Sequence, residues 1–267
     1  MHPMLNIGIR AARAAGNVIT RSMDRIDSLQ VDRKQRNDFV SEVDRSAETE
    51  IINVLRKAYP DHAVLGEESG LIGDENAEYR WIVDPLDGTT NFLHGYPYFS
   101  VSIALMHKQR IDQAVVYNPV SQELFTASRG EGAWLDSKRI RVSKTNRIEN
   151  ALLGTGFPYR EGQDLDFFQE TLRQYTEQSG GIRRAGSAAL DLASVAAGRL
   201  DGVWLVGLQP WDIAAGALII REAGGLLNDF DAGDNWLETG NVIAASPKIH
   251  HAMLQTMKPL HKRFTQR

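Results

Sequence analysis

The run Trp81-Ile-Val-Asp-Pro-Leu-Asp-Gly-Thr-Thr-Asn-Phe92 delivers two carboxylates, a hydroxyl and a glycine turn off the end of an apolar segment. Asp84 and Asp87 stand three apart across Pro85-Leu86, too close to sit on opposite faces of a continuing strand once proline and glycine turn the chain. That spacing lets both carboxylates bracket a pair of ions. Two cations can polarise phosphoryl oxygens, prepare a nucleophilic water and neutralise a departing alkoxide. Magnesium suits such a set because it prefers oxygen ligands and often keeps waters. Gly88, Thr89 and Thr90 could offer backbone N–H groups as an anion-binding nest, and the Thr89 hydroxyl could orient water. Taken alone, Asp-Pro-Leu-Asp reads equally as a charged turn whose aspartates cap backbone groups.

Further acids fall at element ends. Glu67 and Glu68 follow Ala63-Val-Leu65, and if that strand lies beside Trp81-Ile-Val83 their carboxylates reach the same rim. Glu67 is then a ligand shared between ions and a partner of Thr89 in activating water; each glutamate alone reads as a solvated loop residue. Asp212 lies in the first turn of a helix after Pro210-Trp211, where it could cap the helix with one oxygen and bind metal with the other. Lys34 could balance phosphate charge from a mobile loop. Asp44, near a second helix start, could hold an outer ligand or a weaker metal, and Asp38 is a fainter candidate. The seven histidines form no imidazole triad by spacing and read as surface or hydrogen-bonded groups.

The elements that must position these groups follow from periodicity. Residues 4 to about 23 place Leu5, Ile9, Ala12, Ala15 and Ile19 on one helical face, and a second helix repeats Ala47, Ile51, Leu55 and Ala58 before Tyr59-Pro60. From about 63 short strands succeed one another: 63–65, 81–83, 101–105, 114–117 and 124–127. Few helical segments intervene, so a substantially antiparallel sheet is expected, with the long helices over one face. Alternation resumes with a strand at 151–155, a helix from Leu165 to about Gln178 and a small-residue helix from Ser187 to Ala197 closed by Gly198. A strand at 203–206, a helix from Ile213 to Ala223, a strand at 241–245 and a helix capped by Ser246-Pro247 complete the chain. Residues 1–145 form the half carrying most ligands. Residues 146–267 form an α/β half supplying Asp212 and a pocket wall, and the two are not expected to fold independently.

A length of 267 residues allows a sizeable core, and the absence of cysteine excludes disulfides and thiolate metal sites. A net charge of -4 supplies no global basic field, so direct nucleic-acid binding is not the expected main function, despite local clusters at Lys138-Arg139-Ile-Arg141 and Arg183-Arg184. No secretion signal or bilayer-length apolar run stands out, and a soluble cytoplasmic protein is expected.

These residues resemble the inositol monophosphatase family, the magnesium-dependent, lithium-sensitive sugar-phosphate phosphatases. Gly66-Glu-Glu-Ser69 is similar to its metal-glutamate segment, Trp81 to Phe92 to its first long signature and Trp211-Asp-Ile-Ala-Ala-Gly216 to its second. The likeness runs over about residues 4 to 250 and is strongest to a bacterial group, through Met1-His-Pro-Met-Leu-Asn6 and Arg183-Arg-Ala-Gly-Ser-Ala-Ala-Leu-Asp-Leu192. The resemblance implies an α/β (α+β layered) sandwich alternating α-β-α-β-α, and a homodimer. It implies that Glu67, Asp84 and the Leu86 carbonyl hold an activating Mg2+, and that Asp84, Asp87 and Asp212 hold a second near the leaving oxygen. A third, weaker ion is reached from Glu67 through water. Phosphate would rest on the Gly88 and Thr89 amides, with Thr89 and Glu67 activating the water. Some bacterial relatives also contact the transcription machinery.

One departure bears on substrate choice. Where the family commonly has a glutamate that accepts a sugar hydroxyl, this chain has Leu205. Loss of a charged partner weakens recognition by ~1.5–3 kcal/mol. The leading expectation is hydrolysis of inositol monophosphate or a similar small polyol or sugar phosphate monoester. Preference for fructose 1,6-bisphosphate or a nucleotide-derived phosphate is an alternative. A third reading is a regulatory protein that keeps the pocket and uses Arg183 and Arg184 as a partner surface.

Overall fold

The structure, a computed structural model, describes residues 2–26, 31–35, 38–158 and 163–265, with the backbone alone for 31–35 and 38–40. Helix α1 (Pro3–Met23) begins with proline where no intrahelical N–H is required, and its stripe of Leu5, Ile9, Ala12, Ala15 and Ile19 is buried. The hairpin β1 (Val31–Gln35) and β2 (Asp38–Ser41) leads into α2 (Glu42–Ala58). Ser41 caps α2: its hydroxyl accepts the Val43 N–H at 3.2 Å, while Asp44 Oδ2 accepts the Ser41 N–H at 2.8 Å.

Strands β3 (Ala63–Gly66), β4 (Gly70–Ile72), β5 (Tyr79–Asp87), β6 (Ser100–His107), β7 (Arg110–Asn118), β8 (Glu123–Ser128), β9 (Gly132–Leu135) and β10 (Lys138–Arg139) form one sheet, ordered β10-β9-β8-β7-β6-β5-β3-β4. Neighbours are antiparallel except β3 and β5, which run parallel. The short helix α3 (Thr89–Leu93) follows β5. The second sheet is built from β11 (Leu152–Thr155), β12 (Gly181–Arg183), β13 (Gly202–Leu205), β14 (Leu226–Asn228) and β15 (Val242–Ala245), ordered β12-β11-β13-β15-β14. Between these strands run α4 (Leu165–Gln178), α5 (Ala188–Ala196), α6 (Pro210–Glu222) and α7 (Trp236–Thr239), and α8 (Pro247–Thr265) closes the chain.

The layers alternate α-β-α-β-α. Helices α1 and α2 bury one face of the first sheet through Ile9, Ala15, Ile51 and Leu55 against Trp81, Val83 and Val101. The opposite face, with Ile82, Ala104 and Val116, packs on α5 and α6, which also cover Val203 and Ala244 of the second sheet. Helices α4 and α8 close the far side over Trp204 and Ile243. The middle helices belong to the C-terminal half yet face both sheets, which brings their N-termini to the end of β5. Helix α6 starts at Pro210, three residues before the expected Ile213, because proline supplies the first helical position; Asp212 is therefore its third residue. Among the described residues no helix is long and apolar enough to cross a membrane.

Candidate metal and phosphate site

The geometry of β5 begins with a fault in pairing. Asp84 lies opposite Ser102 of β6 and Asp87 opposite Ser100, so three steps on β5 match two on its partner. This bulge inserts one residue at Pro85-Leu86 and cancels the side-to-side alternation that would otherwise send aspartates three apart to opposite faces. Leu86 packs toward α1 and α2, whereas Asp87 reaches α5 on the other side. Gly88 then turns the chain at φ 99°, where an added Cβ would lie 3.1–3.2 Å from the Tyr98 and Gly186 carbonyl oxygens.

Three carboxylates meet here. One oxygen each of Asp84, Asp87 and Asp212 lies within 4.8 Å of the others, and the residues are only 1%, 9% and 7% exposed. Each has a second use that fixes it. Asp84 Oδ1 accepts the Leu86 N–H at 2.9 Å. Asp87 Oδ2 accepts the Ser187 hydroxyl at 2.5 Å and the Ala189 N–H at 2.7 Å, in the first turn of α5. Asp212 Oδ2 accepts the Gln209 N–H at 2.7 Å, capping α6. Two helix N-termini thus face the cluster, where their unpaired amides favour negative charge.

That help does not offset burial and mutual repulsion. Burial, then the charges of Glu67, Asp87 and Asp212, hold the Asp84 carboxyl well above the usual carboxylate range. Burial also raises Asp87, opposed by its bonds from Ser187, Ala189 and Ala188. The donor set is entirely oxygen, which suits a small hard cation, and such an ion would offset the buried, mutually repelling charge.

The remaining candidates divide. Glu67 is half-buried at the end of β3, with its N–H on the Val83 carbonyl at 3.1 Å, and its charge loads Asp84. The Thr89 oxygen lies 2.8 Å from Asp44 Oδ1 and 3.1 Å from the Leu86 carbonyl. Asp44, 1% exposed, is therefore joined to the site through Thr89. The Glu68 N–H is taken by Glu48 at 3.0 Å. Leu205 ends β13 and lines a cavity of about 80 Å3 beside Asp87 and Asp212, walled by Phe157, Leu208 and Arg184. Arg183, read from the sequence as part of a partner surface, is exposed, with its guanidinium on the Ile182 carbonyl. Arg184 faces the cavity and lies 5.2 Å over the Phe157 ring. Lys34 and Asp38 lie on β1 and β2, and their side chains are outside the described residues.

Sequence reasoning missed Ser187, Glu48 and the Tyr98–Asp191 pair. Tyr98 donates to Asp191 Oδ1 at 2.9 Å, and burial pushes the Asp191 carboxyl up to about 8. The available signal was the same in two cases: Glu48 interrupts the apolar stripe of α2, and Asp191 sits in a helix of otherwise small or apolar residues.

A model of the inositol monophosphatase family matches residues 1–261. The Nus factor SuhB of Pseudomonas aeruginosa is 54% identical over 263 residues, covering 97% of each chain. The solved extragenic suppressor protein suhB from Bartonella henselae has a TM-score of 0.93 at 45% identity, over 96% of this chain and 99% of that one. The solved inositol monophosphatase from Anabaena has a TM-score of 0.81 at 36% identity, over 94% and 93%.

Proposed function

The chain belongs to the inositol monophosphatase family, and from that premise we propose that it is a magnesium-dependent phosphatase hydrolysing inositol monophosphate or a similar small polyol or sugar phosphate monoester. The observation that carries the reading is the meeting of Asp84, Asp87 and Asp212 within 4.8 Å. In it, Glu67, Asp84 and the Leu86 carbonyl hold one Mg2+, Asp84, Asp87 and Asp212 hold another, and Glu67 reaches a weaker third. Bound magnesium supplies phosphoryl polarisation and a more acidic water.

The chain's own groups do the rest. The Gly88 and Thr89 amides bind the phosphate at the turn that opens α3. The Thr89 hydroxyl donates a hydrogen bond to Asp44 Oδ1, which aims its lone pairs outward to accept from and orient a water. Glu67, on the neighbouring strand end, shares in activating that water. Arg184, Phe157 and Leu205 shape the side where the leaving alcohol rests. Lithium sensitivity, a homodimer and a cytoplasmic location belong to the same proposal.

A panel of inositol 1-phosphate, fructose 1,6-bisphosphate and nucleotide-derived phosphates, assayed over a magnesium titration, tests it. Turnover that rises with magnesium and disappears with chelator is expected. Full activity after exhaustive chelation removes the mechanism. Leu205 favours keeping the two other substrates as alternatives, and their higher kcat/KM would make either the better reading.

The name Nus factor on a relative 54% identical favours a second reading, in which this chain also binds the transcription machinery. Retention of transcription proteins on immobilised Asp84→Asn protein is the expected result. Their loss from both wild-type and Asp84→Asn protein counts against it.

A further inference from the structure

Glu48 is a buried acid with no role in the scheme above. It is 3% exposed and lies one turn after Asp44 on the same face of α2, beside Val43, Ala47 and Ile51. Its Oε1 accepts the Glu68 N–H at 3.0 Å, and Ser69 adds bonds from its side chain and backbone. Burial raises the Glu48 carboxyl, and these bonds from Glu68 and Ser69 oppose it. A buried carboxylate is expensive to keep, and an acceptor of this kind on a turn's N–H is stronger than a neutral one. The turn is also shaped to admit it. A Cβ on Gly66 would stand 2.1 Å from Glu48 Oε1 and 2.8 Å from Ser69 Oγ, so only glycine leaves room for the carboxylate beneath the chain.

We propose that Glu48 is a positioning residue: by clamping the Gly66–Ser69 turn it presents Glu67 to Asp84. The role rests on the reading of Glu67 as a magnesium ligand. Asp44 and Glu48 then make α2 a splint between two strand ends, one holding the Thr89 hydroxyl after β5 and the other the turn after β3.

Magnesium binding by isothermal titration calorimetry, paired with hydrogen exchange of the Glu68 amide, tests the clamp without any turnover. Glu48→Gln keeps an acceptor and is expected to bind Mg2+ within about threefold of wild type. Glu48→Ala is expected to weaken binding about ten- to hundredfold, as loss of a group that orients a ligand does, and to speed Glu68 exchange. Gly66→Ala pushes the carboxylate away from the turn and is expected to match it. Because both changes break one contact, the Glu48→Ala/Gly66→Ala protein should be no worse than Glu48→Ala alone. Wild-type affinity and Glu68 protection in Glu48→Ala overturn the role. Should that variant not fold, the same result in Gly66→Ala overturns it. A wild-type protein that takes up no Mg2+ overturns the metal reading itself, and this role with it.

Discussion

The two walls of the site are made differently. The wall at the end of β5 is polar and cross-braced: Asp84, Asp87 and Asp212 are each tied by a backbone or hydroxyl bond, and Thr89 is tied to Asp44. The wall formed by Phe157, Leu205 and Leu208 is held by packing, with Arg184 laid over Phe157. Hydrogen bonds fix direction as well as distance, and ions and phosphate demand both. Packing fixes volume, which suits an alcohol to be released. In the proposed reaction, chemistry would therefore be set on one side and substrate preference on the other.

Three experiments press on that division. The largest effect is expected at Asp84→Asn, which should lower kcat by about a thousandfold or more. The same variant should melt higher than wild type in chelator at pH 8, because it removes a buried charge that three other acids repel. Loss of activity with loss of fold would show that the polar wall carries structure as well as chemistry.

The second effect is an inversion with pH. Asp84 and Asp87 are raised in the folded state, and Asp191 is raised to about 8. Folding therefore binds protons above the unfolded carboxylate value near 3.8, and this contribution is lost as pH climbs toward the folded values. In chelator, thermal stability should fall from pH 5 to pH 8. With Mg2+, which needs the ionised carboxylates, the stabilisation should instead grow over that interval. Parallel curves with and without the ion would remove the cluster from the binding site.

The smallest effect is expected on the packed wall. Leu205→Glu should raise kcat/KM for inositol 1-phosphate about tenfold over wild type, the low end of a charged hydrogen bond because the position is nearly fully buried. The magnesium concentration for half-maximal activity should not move. A shift in it would mean that the two walls are coupled.

Much of this arrangement was legible in sequence, for reasons that differ by element. Helices α1, α2 and α4 announce themselves by apolar periodicity, α5 by a run of small residues closed by Gly198, and β5 to β8 by apolar runs between turns. The short strands β4, β10, β12 and β14 carry too few residues for a period to emerge, and they form because a neighbouring strand offers free N–H and C=O groups. The acids of the site were visible as types at strand ends. Their partners were not: Ser187 lies 100 residues from Asp87, and Glu48 lies 20 from Glu68. Such pairs depend on how layers stack, which local pattern does not encode. Arg183 and Arg184 are both exposed, and only Arg184, just past the end of β12, lines the cavity.

The mispaired step at Pro85-Leu86 has one more outcome. Pairing with β6 resumes after it in a register shifted by one residue, and the Leu86 carbonyl oxygen comes to lie 3.1 Å from the Thr89 oxygen, whose proton points to Asp44. The Leu86 oxygen belongs to the main chain, and alanine scanning would pass over it in silence. Only a change to the peptide link itself, such as an ester in its place, could weigh what the backbone contributes there.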